Sequence, residues 1–192
     1  MVNNHLSKGI SLIEILIALV SSSILLTMLM TFYVTQLNAN RDIEQRMNIQ
    51  DNVRSVMMIF EDAIRMAGFD STELTNAGLV DNFPSTGNTV GAHFLAFTMD
   101  QNQNGIIETN SNERVAYRLN SNNLEMYNDQ TDQWVILAVN ISDITYTYYD
   151  GANPPVQTAV LADVRSIEIS ITSVIGDQSS QTTSWISCRN LR

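Results

Sequence analysis

One apolar segment near the N-terminus constrains this chain more than any other feature. Residues 10–34 read ISLIEILIALVSSSILLTMLMTFYV and contain one charged side chain, Glu14. A helix rises about 1.5 Å per residue, so these 25 residues extend about 37 Å and exceed the roughly 30 Å hydrocarbon core of a bilayer. The segment therefore predicts a transmembrane helix, and Lys8 just before it favours a cytoplasmic N-terminus.

The leader in front of this segment differs from an ordinary secretory signal. Such a signal has a basic start, a shorter apolar region and a small-residue cleavage site after it. Here the polar residues 1–9, MVNNHLSKG, end in Gly9, and the whole apolar stretch follows. Glu14 is costly inside a bilayer unless it finds a partner or the interface, although an acid in the first helical turn complements the helix dipole.

The combination of SKG with ISLIEILIALV resembles the processing site of type IV pilins and type II secretion pseudopilins. The resemblance implies that a prepilin peptidase cuts between Gly9 and Ile10 and that the new N-terminal Ile10 is methylated. It also implies that Glu14 meets the N-terminal amine of a neighbouring subunit during assembly. Two positions depart from the commoner pattern: Ile10 stands where phenylalanine is usual, and Thr31 where many major pilins carry a proline.

The helical pattern continues beyond the apolar segment. No glycine or proline occurs from residue 35 to residue 67, and Gly68 predicts the C-terminal end of the helix. The apolar positions on one face are Ile49, Val53, Val56, Phe60 and Ile64, spaced four, three, four and four. This period predicts an amphipathic helix. We therefore expect one long helix over residues 10–68, with residues 10–34 in the membrane and the later stripe packed on a globular domain.

Two further stretches resemble the minor pilins of the PilW type. Residues 45–69 end in an Ala67, Gly68, Phe69 step, and the chain closes on CRNL at residues 188–191. The protein is thereby identified as a PilW-type minor pilin. The resemblance implies a structural filament subunit that is held in the inner membrane as a precursor and lies in an extracellular or periplasmic filament after assembly.

Residues 69–192 predict a β-rich domain. Residues 69–88 are rich in Thr, Asn, Asp and Gly and predict irregular structure. A strand is expected over residues 90–99, and a hairpin turns at residues 120–122. The alternation of Ile167, Ile169 and Ile171 with polar residues indicates a half-buried strand. Successive strands with short turns predict an antiparallel meander on the long helix, which is an α+β, pilin-like fold.

The polar stretch DQNQNGIIE is a candidate calcium loop. Asp100, Asn102 and Asn104 occupy positions 1, 3 and 5, and Gly105 occupies position 6, as in the first half of an EF-hand loop. The candidate ligands are Asp100, Asn102, Asn104, the Ile106 carbonyl and Glu108, with Glu113 as another acid in reach. Position 12 is Ser111, where a bidentate acid is expected. The alternative interpretation is a polar turn between two strands.

Composition limits the remaining functions. The formal net charge of −10 and a pI of about 4.4 argue against a nucleic-acid partner, because phosphate binding needs clustered Lys and Arg. The single cysteine, Cys188, allows no internal disulfide and is expected to be buried. No P-loop, nucleophile elbow or triad context is visible, so we expect no enzymatic activity.

The resulting hypothesis is a minor subunit of a type IV pilus. Its expected partners are other pilin and minor pilin subunits, the prepilin peptidase and the inner-membrane assembly machinery. Two alternatives share the N-terminal chemistry: a pseudopilin of a type II secretion system, and a calcium-dependent adhesive module on a pilin stalk.

Overall fold

The computed structural model describes residues 11–70, 76–84 and 87–191, and within them the fold is one long α-helix followed by seven strands. The elements are α1 (Leu12–Met66), β1 (Phe94–Thr98), β2 (Arg114–Asn120), β3 (Asn123–Asn128), β4 (Gln133–Val139), β5 (Ile141–Tyr149), β6 (Ser166–Ile175) and β7 (Gln178–Ser187), with a short 3-10 helix at Leu161–Asp163. The predicted α+β class is confirmed.

The start of α1 is capped by its own sequence. The Ser11 Oγ accepts the Ile13 N–H at 3.3 Å, as an N-cap residue does. Glu14 stands in the first turn, where its charge complements the exposed N–H groups of the helix. Ser11 and Glu14 therefore have the spacing of a capping box.

The end of α1 is tied to the rest of the globular domain. Gly68 has a φ of +75°, and its N–H donates to the Thr98 carbonyl at 2.9 Å. The Asn190 Nδ2 donates to the Arg65 carbonyl at 2.7 Å and so satisfies one of the last helical acceptors. The predicted stop at Gly68 agrees with a helix that ends at Met66.

The chain divides into two compact units, residues 1–44 and residues 45–192. Every described residue of the first unit is exposed. Six of its hydroxyl groups are nevertheless satisfied within the helix, because they donate to carbonyls three or four residues earlier. These are Ser21, Ser22, Ser23, Thr27, Thr31 and Thr35, at donor–acceptor distances of 2.8–2.9 Å.

The second unit contains two antiparallel sheets. One has the strand order β1-β2-β3-β4 and the other β5-β6-β7. The structure thus differs from a single meander, and the division falls at Asn140, which has a φ of +61°. The Asn140 carbonyl accepts the Val174 N–H at 2.9 Å and the Ser173 hydroxyl at 2.8 Å, so the chain turns at this residue and β5 pairs with β6.

The predicted stripe on α1 forms the centre of the core. Ile49, Val53, Val56, Phe60 and Ile64 are all buried, together with Met57. One hydrophobic cluster joins this helix face to residues of both sheets. The Phe60 ring contacts Tyr117 of the first sheet and Tyr146 of the second, with centroids 4.7 and 5.8 Å away. The helix face therefore holds the two sheets in one domain.

Candidate functional site

The N-terminal part of α1 has the length and composition of a membrane-spanning helix, and its most apolar window is fully exposed. Leu12 is 83% exposed and Leu26 70%. Exposed aliphatic side chains on this scale need a nonaqueous environment or a partner surface. Gly9 and Ile10 lie outside the described residues, so the structure gives no geometry for the predicted cleavage position. Glu14 lies inside them, exposed, in the first helical turn.

The predicted calcium loop folds around two buried carboxylates. Asp100 is 0% exposed, and its two oxygens accept the N–H groups of Asn104 at 3.1 Å and Gly105 at 2.9 Å. Glu113 is 2% exposed and accepts the N–H groups of Asn102 at 3.2 Å and Glu108 at 2.8 Å. These bonds draw the first and last acids of the loop toward its backbone.

The remaining candidate ligands bond to one another. The amide nitrogens of Asn102 and Asn104 donate to the two Glu108 oxygens, each at 3.1 Å. Their amide oxygens accept the N–H groups of Asn104 and Ile106, both at 2.9 Å. The loop therefore brings together all the predicted side chains, in a network that is satisfied without an ion.

Of two further positions of the loop, Ser111 departs from an EF-hand and Gly105 agrees with one. The Ser111 Oγ donates to the Glu108 carbonyl and accepts the Glu113 N–H, so position 12 closes a turn. Gly105 has a φ of +79°, which fits the glycine expected at position 6. Among the described residues, no three His, Cys, Asp or Glu side chains are arranged to hold a metal ion.

Cys188 is buried at 4% exposure and has no disulfide partner. Burial raises the pKa of its thiol to about 12, and Arg165 opposes the shift. A thiol with so high a pKa is a poor nucleophile, because the thiolate is the reactive form. Its geometry fits a small core residue.

The globular domain and the end of α1 match one known protein family. A family model described as "Prepilin peptidase-dependent protein B" matches residues 42–187, which is 146 of the 192 residues. No curated protein and no solved structure matches the chain. The matched region covers the second part of α1 and all seven strands, and it begins after Gly9, Ile10 and Glu14.

The family description implies dependence on the prepilin peptidase and the pilus machinery, and the exposed apolar helix is consistent with membrane anchoring of a prepilin-like protein. The two observations come from different parts of the chain, since the family match starts at residue 42 and the apolar window precedes it. The chain thus belongs to the prepilin peptidase-dependent protein B family and is a type IV pilus-related protein.

Proposed function

We propose that the protein is a minor structural subunit of a type IV pilus, cut between Gly9 and Ile10 and then assembled into the filament or used to start it. The observation that carries the proposal is the family match on the globular domain, joined in one chain to an exposed apolar helix. Its resemblance to PilW-type minor pilins favours a role at the start of the filament.

Cleavage after Gly9 leaves a product with unusual charge. Lys8 is the only lysine, so removing residues 1–9 leaves nine arginines and twenty acids, and the formal side-chain charge becomes 9 − 20 = −11. The only aliphatic amine is then the new N-terminus on Ile10. Glu14 lies near the end of the spanning helix, where a carboxylate costs on the order of a few kcal/mol unless it finds a partner or the interface. Pairing Glu14 with a neighbour's amine removes this penalty and sets the axial register between subunits.

The exposed apolar helix has to be covered when the subunit leaves the membrane. Burial of apolar surface stabilises a complex in proportion to the area removed from water. Leaving lipid does not expose the helix to water if other pilin helices cover it at once. In this proposal the protein acts structurally, and its partners are the prepilin peptidase, other pilin subunits and the inner-membrane assembly machinery.

The first test is the intact mass and N-terminal sequence of the protein purified from its native membranes. A start at Ile10 with one added methyl group is the expected result. A chain that still starts at Met1, in cells that process other pilins, would exclude the filament subunit.

Assembly is tested separately with Glu14→Ala. This variant should still be cut at Gly9 but should be missing from sheared filaments. Glu44→Ala is the matched control, since Glu44 is an exposed acid on the same helix outside the apolar segment. Equal incorporation of both variants would contradict the assembly role of Glu14.

A type II secretion pseudopilin is the nearest alternative, because it shares the N-terminal chemistry. A deletion strain separates the two functions. Loss of surface filaments with normal secretion supports the pilus, whereas loss of secreted enzymes with normal filaments supports the pseudopilus.

We also propose that the loop from Asp100 to Glu113 binds Ca²⁺. The supporting observation is that Asp100, Asn102, Asn104 and Glu108 converge in one loop whose glycine adopts the required positive φ. Ca²⁺ would compete for the Glu108 oxygens that now accept the two amide groups. Because two of the early ligands are neutral amides, we expect weak binding, comparable to extracellular modules with Kd values of about 10⁻⁴–10⁻³ M.

The calcium test uses the full chain in detergent, by calorimetry and thermal unfolding with Ca²⁺ and with a chelator. Wild type should bind with a measurable heat and unfold at a higher temperature in Ca²⁺. Glu108→Gln should lose the heat, because it removes the carboxylate that the loop offers to a cation. If the wild type shows no heat and no thermal shift, the loop is a polar turn. That result would exclude the calcium-dependent adhesive module.

A further inference from the structure

Strand β4 forms one edge of the four-stranded sheet. The outer side of an edge strand presents a row of unpaired N–H and C=O groups. Among the described residues, one side chain reaches this backbone from outside the sheet: the Asn52 Nδ2 donates to the Val139 carbonyl at 2.8 Å. That bond satisfies the carbonyl of the last residue of β4. The backbone groups on the outer side of the preceding residues receive no such bond from the described side chains.

The edges at β1 and β5 are covered by other parts of the chain. Beside β1, Val80 donates its N–H to Ala96 at 3.0 Å, and the Thr98 N–H donates to Gly78 at 2.8 Å. Beside β5, the Tyr146 N–H donates to the Ala92 carbonyl at 2.8 Å. These irregular segments occupy the positions that an added strand would take.

The edge at β7 is protected by composition instead. Its sequence QSSQTTSWIS has one aliphatic residue, Ile186, which is 2% exposed, and one aromatic residue, Trp185, which is 47% exposed and packs on Tyr149 with ring centroids 4.3 Å apart. The other side chains are Ser, Thr and Gln, which give little apolar surface to a partner. Within the described parts of the domain, β4 is therefore the uncovered edge with a continuous apolar run.

The side chains of β4 are apolar on both faces of the strand. Residues 134–139 read WVILAV, without a charge, a proline or a glycine. Val135 is 46% exposed, Ile136 55% and Val139 48%. Successive side chains point to opposite faces, so Val135 and Ile136 present apolar surface on both sides. Natural edges usually carry Lys, Pro or inward charges against pairing; here the one device is a bulge opposite Leu124 and Glu125.

The unpaired backbone of β4 and the acidic side chain near it indicate the kind of partner that would bind there. A row of unpaired backbone groups is satisfied by an extended strand, which is the mode of β-augmentation. Across residues 130–143 the charged side chains are Asp132, in the turn before β4, and Asp143, which lies in β5 of the other sheet and 3.7 Å from His93 Nδ1. Asp132 is therefore the acid that flanks the open edge. Pairing of two copies would bring together chains of net charge −10, whereas an apolar strand with a basic residue at its end complements Asp132.

We propose that β4 pairs with an extended apolar strand, with Lys or Arg at its end, from a different pilin-type subunit. This inference rests on the proposed function as a filament subunit and adds the surface through which the neighbour docks. The side chains of Val135 and Ile136, on the two faces of β4, pack against side chains of the incoming strand, and a basic residue at its end lies near Asp132.

The contact is tested in cells with a photo-reactive benzophenone amino acid at position 136 and, as a control, at position 156. Val156 is 57% exposed in a loop, which matches the 55% of Ile136. We expect position 136 alone to crosslink a pilin-type subunit, identified by mass spectrometry through a peptide with an apolar run and a flanking basic residue. A crosslink to a second copy of this chain, or equal yields at both positions, would overturn the inference.

A charge on the edge is the second test. Ile136→Lys should lower incorporation into filaments about tenfold, the scale of losing a buried anchor at an interface, while Val156→Lys leaves it unchanged. Ile136→Thr keeps the strand propensity and should show a smaller loss in the same direction. Normal incorporation of Ile136→Lys would refute the docking edge. If those chains still start at Ile10, the proposed filament function stands without it.

Discussion

Phe60 of α1 and Tyr117 of β2 are almost completely buried, at 0% and 1% exposure, and their ring centroids lie 4.7 Å apart. Phe60→Ala removes this contact and leaves a cavity between the helix and both sheets. Such a truncation costs about 3–5 kcal/mol of unfolding free energy. Denaturant unfolding of the full chain in detergent, followed by tryptophan fluorescence, measures the loss.

Met58 provides the control for that measurement. It lies on the same helix but is 54% exposed, so Met58→Ala should change the unfolding free energy by no more than about 0.5 kcal/mol. Similar losses for the two variants would mean that the helix face at Phe60 does not form the core.

The Tyr146 hydroxyl is buried without a hydrogen-bond partner among the described residues. Removing an unsatisfied polar group relieves a desolvation penalty of about 1–3 kcal/mol. Tyr146→Phe should therefore leave stability unchanged or raise it. Tyr148→Phe is the matched comparison, because that hydroxyl donates to the Gly91 carbonyl at 3.1 Å, and its loss should destabilise the protein by about 1 kcal/mol. The reverse order of the two variants would contradict this assignment.

Gly68 combines a positive φ with a crowded environment. A Cβ at this residue would lie 2.8 Å from the Asn190 carbonyl oxygen and 2.8 Å from the Leu191 Cδ2. Gly87 also has a positive φ, of +99°, and a Cβ there meets nothing within 4 Å in the described part of the chain. Gly87→Ala should cost about 1–2 kcal/mol from backbone strain alone. Gly68→Ala should cost more, and equal thermal shifts would show that the C-terminal segment does not pack on the helix end.

The Cys188 thiol should resist alkylation in the folded protein. Burial raises its pKa from 9.0 to about 12, which lowers the thiolate fraction at neutral pH on the order of 1,000-fold. Iodoacetamide should therefore modify the folded chain far more slowly than the chain in guanidinium, and equal rates would contradict burial.

The raised pKa of the Cys188 thiol makes the free energy of unfolding depend on pH. Since the folded value lies above the unfolded one, the contribution of this thiol is complete below about pH 9 and is lost as the pH rises toward 12. Cys188→Ala should flatten that part of the stability curve. A curve of unchanged slope between these pH values would show that the thiol does not couple to folding.

Local periodicity predicted the helix and its buried face, because the period of 3.6 residues leaves one stripe to bury whatever the stripe contacts. All five predicted positions from Ile49 to Ile64 are buried. The division into two sheets was not predicted, since it depends on one left-handed residue, Asn140, and on strand pairing between distant segments. The first strand is shorter than expected because a tight turn joins Gly91 to Phe94.

The candidate calcium loop was also predicted only in part from the sequence. The spacing of Asp100, Asn102 and Asn104 predicted that their side chains converge, which they do through Glu108. The backbone-binding role of Glu113 could not be predicted from spacing, because its carboxylate returns to the loop from the turn just before β2. The position of β4 at the edge of its sheet could not be predicted either, since strand order is a property of the whole sheet.

The hydroxyl groups in the N-terminal part of α1 carry one more consequence. All six serine and threonine hydroxyls from Ser21 to Thr35 bond to carbonyls of the same helix. No hydrogen bond of these side chains has to be exchanged when the surroundings change from lipid to detergent or to protein. The six hydroxyl groups therefore keep their partners when the helix moves from one environment to another, and the contacts that change there are those of its aliphatic side chains.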